Sequence, residues 1–266
     1  LVDREDERET LWSALRQVRR HARPFVVYLS GPAGCGRTTT ASWLCTRAHE
    51  LGAATVLRAM HSPQPEHRDG MSGMVASHLR CVGLPPLEQG DHVRDWIRQN
   101  STKDSDLVAA LTEMVAPTAT NEGRRQAPPV RFRSKLERYA VVREVVKRAA
   151  EERPVILWLD DVQWGLDSLN FAADLVERGD MPVLVLLTTR DEALDHEGGV
   201  AEILREISSS RRAERVRIGP LSEQYRMELL QDRLGLGPRL AAQLDKRTGG
   251  NPQFAVRLVL DWIRRS

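Results

Sequence analysis

The chain has 266 residues, 41% of them apolar, with 39 Lys plus Arg against 37 Asp plus Glu and a formal net charge of +2. So even a balance excludes capture of nucleic acid by a global electrostatic field, and length and composition exclude collagen-like, disulfide-stapled and wholly disordered classes. Of the basic residues only Lys103, Lys135, Lys147 and Lys246 are lysine, a skew that a coding bias toward arginine would produce and that matters at one position below.

In chain order, a helical pattern over 5–22 comes first. Apolar runs rich in Val, Ile and Leu then follow at PFVVYLS (24–30), ATVLRAM (54–60), PVILWLD (154–160), PVLVLLTT (182–189) and, more weakly, RVRIG (215–219). They are apolar on consecutive positions instead of alternating ones, the mark of parallel strands buried on both faces. Helical patterns over 37–51, 136–151 and 166–178 lie between them. Strand alternating with helix predicts an α/β fold, a parallel sheet of about five strands sandwiched by helices.

Residues 61–135 read as an insertion. Prolines and polar residues surround short helical pieces at 71–82, 91–99 and 104–115, with a flexible loop near 117–133. His61, His67, His78 and His92 have no metal-ligand spacing and read as surface residues. After Pro220 the sheet signal ends. Leu221, Tyr225, Leu229, Leu230 and Leu234 fall near helical spacing, Ser222 is a candidate N-cap and Gly235 a candidate stop. Further helices over 238–247 and 253–264 complete a small helical subdomain. The expected division is therefore an α/β core at 1–219 and a helical, lid-like unit at 220–266.

Cys35, Cys45 and Cys81 are an odd number in no metal-ligand spacing, as expected of free thiols in a reducing, cytoplasmic setting. No apolar run approaches the roughly 20 residues that span a bilayer, so no membrane partner is expected. The start at Leu1 without Met suits a piece cut from a longer protein.

The chemistry is concentrated at two places. Residues 31–38 read Gly31-Pro32-Ala33-Gly34-Cys35-Gly36-Arg37-Thr38, directly after a strand and running into the helical pattern over 37–51 that continues with Thr39. This is the G-x-x-x-x-G-K-[ST] phosphate loop with Arg37 in the lysine position. Glycines let backbone N–H groups converge on phosphate oxygens, and the following helix adds its positive end. Thr38 is placed to reach Mg²⁺. An ordinary strand-to-helix turn is the bland alternative. Cys35 is a tolerated small residue or, less simply, a thiol activated by the helix N-terminus.

The second place is the end of the third strand, Val-Ile-Leu-Trp-Leu-Asp160-Asp161. Asp160 is positioned to hold Mg²⁺ through water, and Asp161 to orient or deprotonate an attacking water. A strand that simply ends in solvated acids is the alternative.

With these motifs the chain resembles the AAA+-like signalling ATPases called STAND NTPases, in particular bacterial ATPase domains fused to transcription-factor, cyclase or protein-kinase modules. Leu-Val-Asp-Arg-Glu (1–5) is similar to that family's opening V-G-R-E, with Asp3 replacing the glycine. LDDVQWGLDSL (159–169) resembles its extended acidic motif, LLTTRDE (186–192) its sensor strand, and GPLSEQ (219–224) and TGGNPQFAVRLV (248–259) its helical-subdomain signatures. The resemblance implies ATP or ADP with Mg²⁺, with Val2, Arg4 and Pro252 near the adenine and Thr189 and Arg190 as polar and arginine sensors.

Arg37 leaves three readings open. Arginine keeps the positive charge but is a longer, planar fork, and a misplacement of about 1 Å can cost on the order of 10²-fold in rate. The favoured reading is a nucleotide-gated switch in a larger signalling or transcription-regulating protein, with slow or absent hydrolysis. The others are an active ATPase in which Arg37 does the lysine's work, and a nucleotide-free scaffold for protein contacts. Expected partners are the nucleotide, effector or sensor domains of the same longer chain, and further copies of the chain. The Arg-rich stretches 123–138 and 208–217 lack interleaved aromatics, so direct nucleic-acid binding is not expected.

Overall fold

A computed structural model of the chain describes residues 2–66, 69–99, 105–116, 132–193 and 198–265. His67 and most of the expected loop at 117–133 lie outside them. The elements run α1 (Glu5–His21), β1 (Phe25–Gly31), α2 (Arg37–Glu50), β2 (Thr55–Met60), α3 (Gly70–His78), α4 (Pro86–Gln99), α5 (Ser105–Val115), α6 (Lys135–Ala149), β3 (Val155–Asp160), α7 (Leu166–Arg178), β4 (Val183–Arg190), α8 (Gly199–Ser209), β5 (Ala213–Arg217), α9 (Glu223–Met227), α10 (Pro238–Thr248) and α11 (Pro252–Arg265). The five strands form one parallel sheet in the order β2-β3-β4-β1-β5.

Consecutive side chains on a strand point to opposite faces. The runs of β1, β3 and β4 are apolar on consecutive positions because both of their faces are covered, whereas the edge strands β2 and β5 are partly exposed. Val27, Leu29, Ile156, Trp158, Leu184 and Leu186 meet α1 and α2 through Leu11, Leu15, Ala41 and Leu44. Their strand neighbours Val26, Tyr28, Leu157, Leu159, Val185 and Leu187 pack against the other layer. That layer takes in helices of the expected insertion. Met71, Met74 and Val75 of α3, Val93 and Ile97 of α4, and Leu107, Leu111 and Met114 of α5 belong to the same buried cluster as α6, α7 and α8. The short helices at 70–115 are therefore part of the main core.

Several boundaries moved: α3 ends at His78 instead of 82, and α4 begins at Pro86 instead of 91. The last strand is Ala213–Arg217 instead of 215–219, because Val26 to Ser30 of β1 pair with Ala213 to Arg217. The expected single helix over 221–234 is interrupted: α9 ends at Met227 and the wider π-type turn Glu228–Arg233 follows. Ser222 does stand at the N-cap, but its side chain makes no cap bond, and Gly235 takes a left-handed φ of 67° just past the turn. The helices of 220–265 share a small core of Leu230, Ala241, Leu244, Ala255 and Val259. Among the described residues no helix is long and apolar enough to cross a membrane.

Candidate functional site

The loop between β1 and α2 brings the first group of residues together. Gly34 (φ 81°) and Gly36 (φ 99°) occupy left-handed conformations that side chains disfavour. A Cβ on Gly36 would meet no atom within 4 Å, so the loop opens onto free space at that point. The first N–H groups of α2 have no carbonyl to bond within the helix, and acidic residues are absent from its first turn. These donors and the helix dipole make a cradle suited to an anion.

Arg37 opens α2. It is only 7% exposed, and its Nη1 is buried without a hydrogen-bond partner. Burial pushes its guanidinium down from the usual value, while Asp161 pulls it back up and Arg190 adds a like-charge push downward. A buried cation with an unmet donor fits a phosphate ligand, since such a group left alone costs about 1–3 kcal/mol or more. Thr38 and Thr39 stay exposed beside it. Along α2 they border an open depression of about 800 Å³ whose other walls include Trp43, Arg58 and Trp158.

The acids at the end of β3 form the second group. Asp160 is 6% exposed. Its Oδ1 accepts from Thr38 Oγ1 at 3.1 Å and from Thr188 Oγ1 at 2.6 Å, and its Oδ2 accepts from Arg58 Nη2 at 2.7 Å. Thr38 and Asp160, 122 positions apart, are thus adjacent, and their oxygens suit a hard divalent cation such as Mg²⁺. Asp161 turns into a left-handed conformation, φ 53°. Its N–H is held by Thr188 Oγ1 at 2.9 Å, and its Oδ1 accepts from Gln163 Nε2 at 3.0 Å. Thr189 in turn donates to Gln163 Oε1 at 3.0 Å. Thr188 therefore touches both acids, and Thr189 reaches Asp161 through Gln163. Arg190, at the end of β4, is exposed.

A third group approaches the loop from outside. Arg4 Nη2 donates to Cys35 O at 3.3 Å and, by a short contact, to Gly219 O. From the other side, Asn251 Nδ2 donates to Ala33 O at 2.8 Å, and the N–H of Gln253 to Gly34 O at 3.2 Å. Pro252, the first residue of α11, lies between these two contacts and half-buried Val2 lies ahead of Arg4; Pro32 is half-buried within the loop. Asp3, in the place where the resembling motif has glycine, takes a positive φ of 64°. Its carboxylate offsets that strain by accepting from Arg4 N at 2.8 Å and Ser222 N at 3.2 Å.

Two readings of side chains need correction. His61 is no surface residue: Nδ1 donates to Asp160 O at 2.8 Å, which fixes the neutral tautomer, and Nε2 accepts from Ser168 Oγ at 2.9 Å. A Cβ on Gly165 would lie 2.4 Å from the imidazole, so glycine there makes room for it. Burial pushes the His61 pKa down, against the bond to Asp160. His78 is half-buried edge-on to Trp96, 6.0 Å between ring centres, and burial lowers its pKa as well; His92 is exposed. Cys35 is buried and its thiol is pushed up by that burial, against Arg4 and Arg37, the opposite of activation by a helix end.

The sequence signal passed over Arg58, His61, Thr188, Asn251 and Gln253. Arg58 alone left a trace, as one charge inside the apolar run TVLRAM. The partners of the others depend on strand register and on how α11 docks.

Comparison with known proteins places these observations. The AAA ATPase domain family matches residues 1–187. Among solved structures, a chain of the Drosophila ORC bound to DNA superposes with a TM-score of 0.51 at 14% identity, over 97% of this chain and 54% of that one. The likeness is one of fold, and this chain spans about half the length of that relative. No curated protein is similar enough in sequence to count as a relative.

Proposed function

Because the chain belongs to the AAA ATPase domain family, we propose that its nucleotide-binding module works as a nucleotide-gated switch of the STAND type within a larger signalling or transcription-regulating protein. ATP or ADP sits at the loop 31–39 between the α/β core and the helical unit at 220–265. The nucleotide's phosphates are held by the loop N–H groups and Arg37, and Val2, Arg4 and Pro252 lie toward its base. Thr38 and Asp160 would hold Mg²⁺, which would neutralise phosphate charge when bound. Effector or sensor domains of the same longer chain, and other copies of it, receive the change.

One observation carries this reading. The segment Ala33–Cys35 is gripped outside by Asn251 just ahead of α11, by Gln253 of α11 and by Arg4, while Thr38 beyond it is bonded to Asp160. A ligand that reshapes the loop must therefore act on α11 as well, a differential contact of the kind that shifts a two-state packing. The orphaned, buried Nη1 of Arg37 argues against a nucleotide-free scaffold.

Hydrogen exchange tests the switch. ATP and ADP are expected to protect 31–39 alike but to give different exchange over 220–265; identical exchange there would remove the switch. A second reading, a working ATPase with Asp161 as base and Arg190 at the transferred phosphate, is favoured by the chain Thr189–Gln163–Asp161 that orients the acid. Phosphate release under single-turnover conditions separates the two. A rate that Asp161→Asn leaves unchanged would end the assignment of Asp161.

A further inference from the structure

Arg58 lies on the edge strand β2, at an exposed position between buried Leu57 and Ala59. It pairs in register with Trp158 across β2 and β3, and Met60 pairs with Asp160. Residues directly opposite in a sheet share a face, so Arg58, Trp158 and Asp160 all point toward α2. The guanidinium carbon lies 3.9 Å from the centre of the Trp158 ring. That stacking aims Nη2 at Asp160 Oδ2, 2.7 Å away. With Thr38 and Thr188 on Oδ1, both oxygens of the carboxylate are already engaged.

Resting on the nucleotide-binding reading above, we infer that Arg58 is a resident cation at Asp160 that stands in for the divalent ion, so that the chain binds nucleotide with little dependence on magnesium. A doubly charged ion cannot settle against Asp160 without repelling a guanidinium that touches the same carboxylate. Magnesium enters by displacing Arg58, and the side chain has room to leave: it is 38% exposed and lines the same depression as Thr38. Arg58 acts through Asp160 and is a positioning residue. Together with Arg37 it supplies this site's positive charge from two arginines fixed on the fold.

The test is ATP affinity, measured by calorimetry in EDTA and in millimolar magnesium, for the unaltered chain, Arg58→Gln and Arg58→Lys. The unaltered chain is expected to differ by less than about threefold between the two buffers. In Arg58→Gln magnesium is expected to improve binding by about tenfold or more, the size of a typical coupling between two sites. Arg58→Lys, which keeps the charge but loses the fork, falls between. A magnesium dependence on the order of 100-fold in the unaltered chain would overturn the inference without any variant. So would the same ratio in Arg58→Gln as in the unaltered chain. If Arg58→Gln fails to fold, the unaltered chain and Arg58→Lys still decide. Absence of ATP binding by the unaltered chain in both buffers would instead defeat the nucleotide-binding reading, and this inference with it.

Discussion

The two sides of the phosphate loop are built differently. On the inner side, Asp160 and Thr188 are fixed by adjacent parallel strands inside the main core and Thr38 by the first turn of α2, and their contacts are side chain to side chain. On the outer side, the contacts with α11 and Arg4 end on the backbone carbonyls of Ala33, Gly34 and Cys35. The unit that supplies Asn251 and Gln253 has a core of only five buried residues. Burial of apolar area is what makes a packed element costly to move, so the inner side is the rigid reference and the outer side the part that can shift. Carbonyl contacts also read loop shape, whatever side chains the loop carries.

Substitutions can break this contrast. The largest effect belongs to Asp160→Ala on the inner side, which leaves Arg58, Thr188 and Thr38 without their shared acceptor. A loss of about 2–4 kcal/mol is expected, toward the lower end for broken buried pairs because Arg58 is partly exposed; denaturant unfolding of the whole core reads it. Next is Arg4→Ala, which strips a donor from Cys35 O and Gly219 O. About 1–2 kcal/mol is expected, seen as faster hydrogen exchange in 31–36 and 219–222 with β3 and β4 unchanged.

Asn251→Ala is smaller, about 0.5–1.5 kcal/mol. It should speed exchange or proteolysis over 220–265 alone; an equal loosening of β3 would mean that the two sides are one cooperative unit. The smallest effect is that of acid. His61 is held neutral with its pKa below the ordinary value of about 6.5. The unfolded chain therefore binds the extra proton first, and stability should fall as pH drops below about 6.5, levelling once the folded pKa is passed. His61→Gln should flatten that slope in pH-dependent unfolding.

Much of this architecture was legible in the sequence for physical reasons. Runs such as VILWLD are apolar at every position because both sheet faces are covered, so β3 and its terminal acids could be placed before any coordinates. The glycines of the loop are likewise readable, since their conformations exclude other residues. What failed to show were features set by long-range register. The helices over 70–115 read as an insertion because prolines and polar residues surround them, and no local pattern shows that Met71, Val93 and Leu111 pack into the main core. His61 looks like a surface residue until the end of β3 and Ser168 arrive on its two nitrogens. Arg37 stands out in the sequence as a departure from a motif, but that its Nη1 is buried and unmet is a fact of packing. The skew of 35 arginines to 4 lysines looked like coding bias, and at Arg37 and Arg58 it has become the charge of the site.

The most direct test of the nucleotide switch is a calorimetric titration of ADP into the unaltered chain and into Arg37→Ala. One saturable site is expected, weakened roughly 10- to 100-fold by the substitution, the worth of a charge-assisted contact to phosphate. An unaltered chain that takes up no ADP at millimolar concentration, or an Arg37→Ala variant that binds it equally well, would contradict the account.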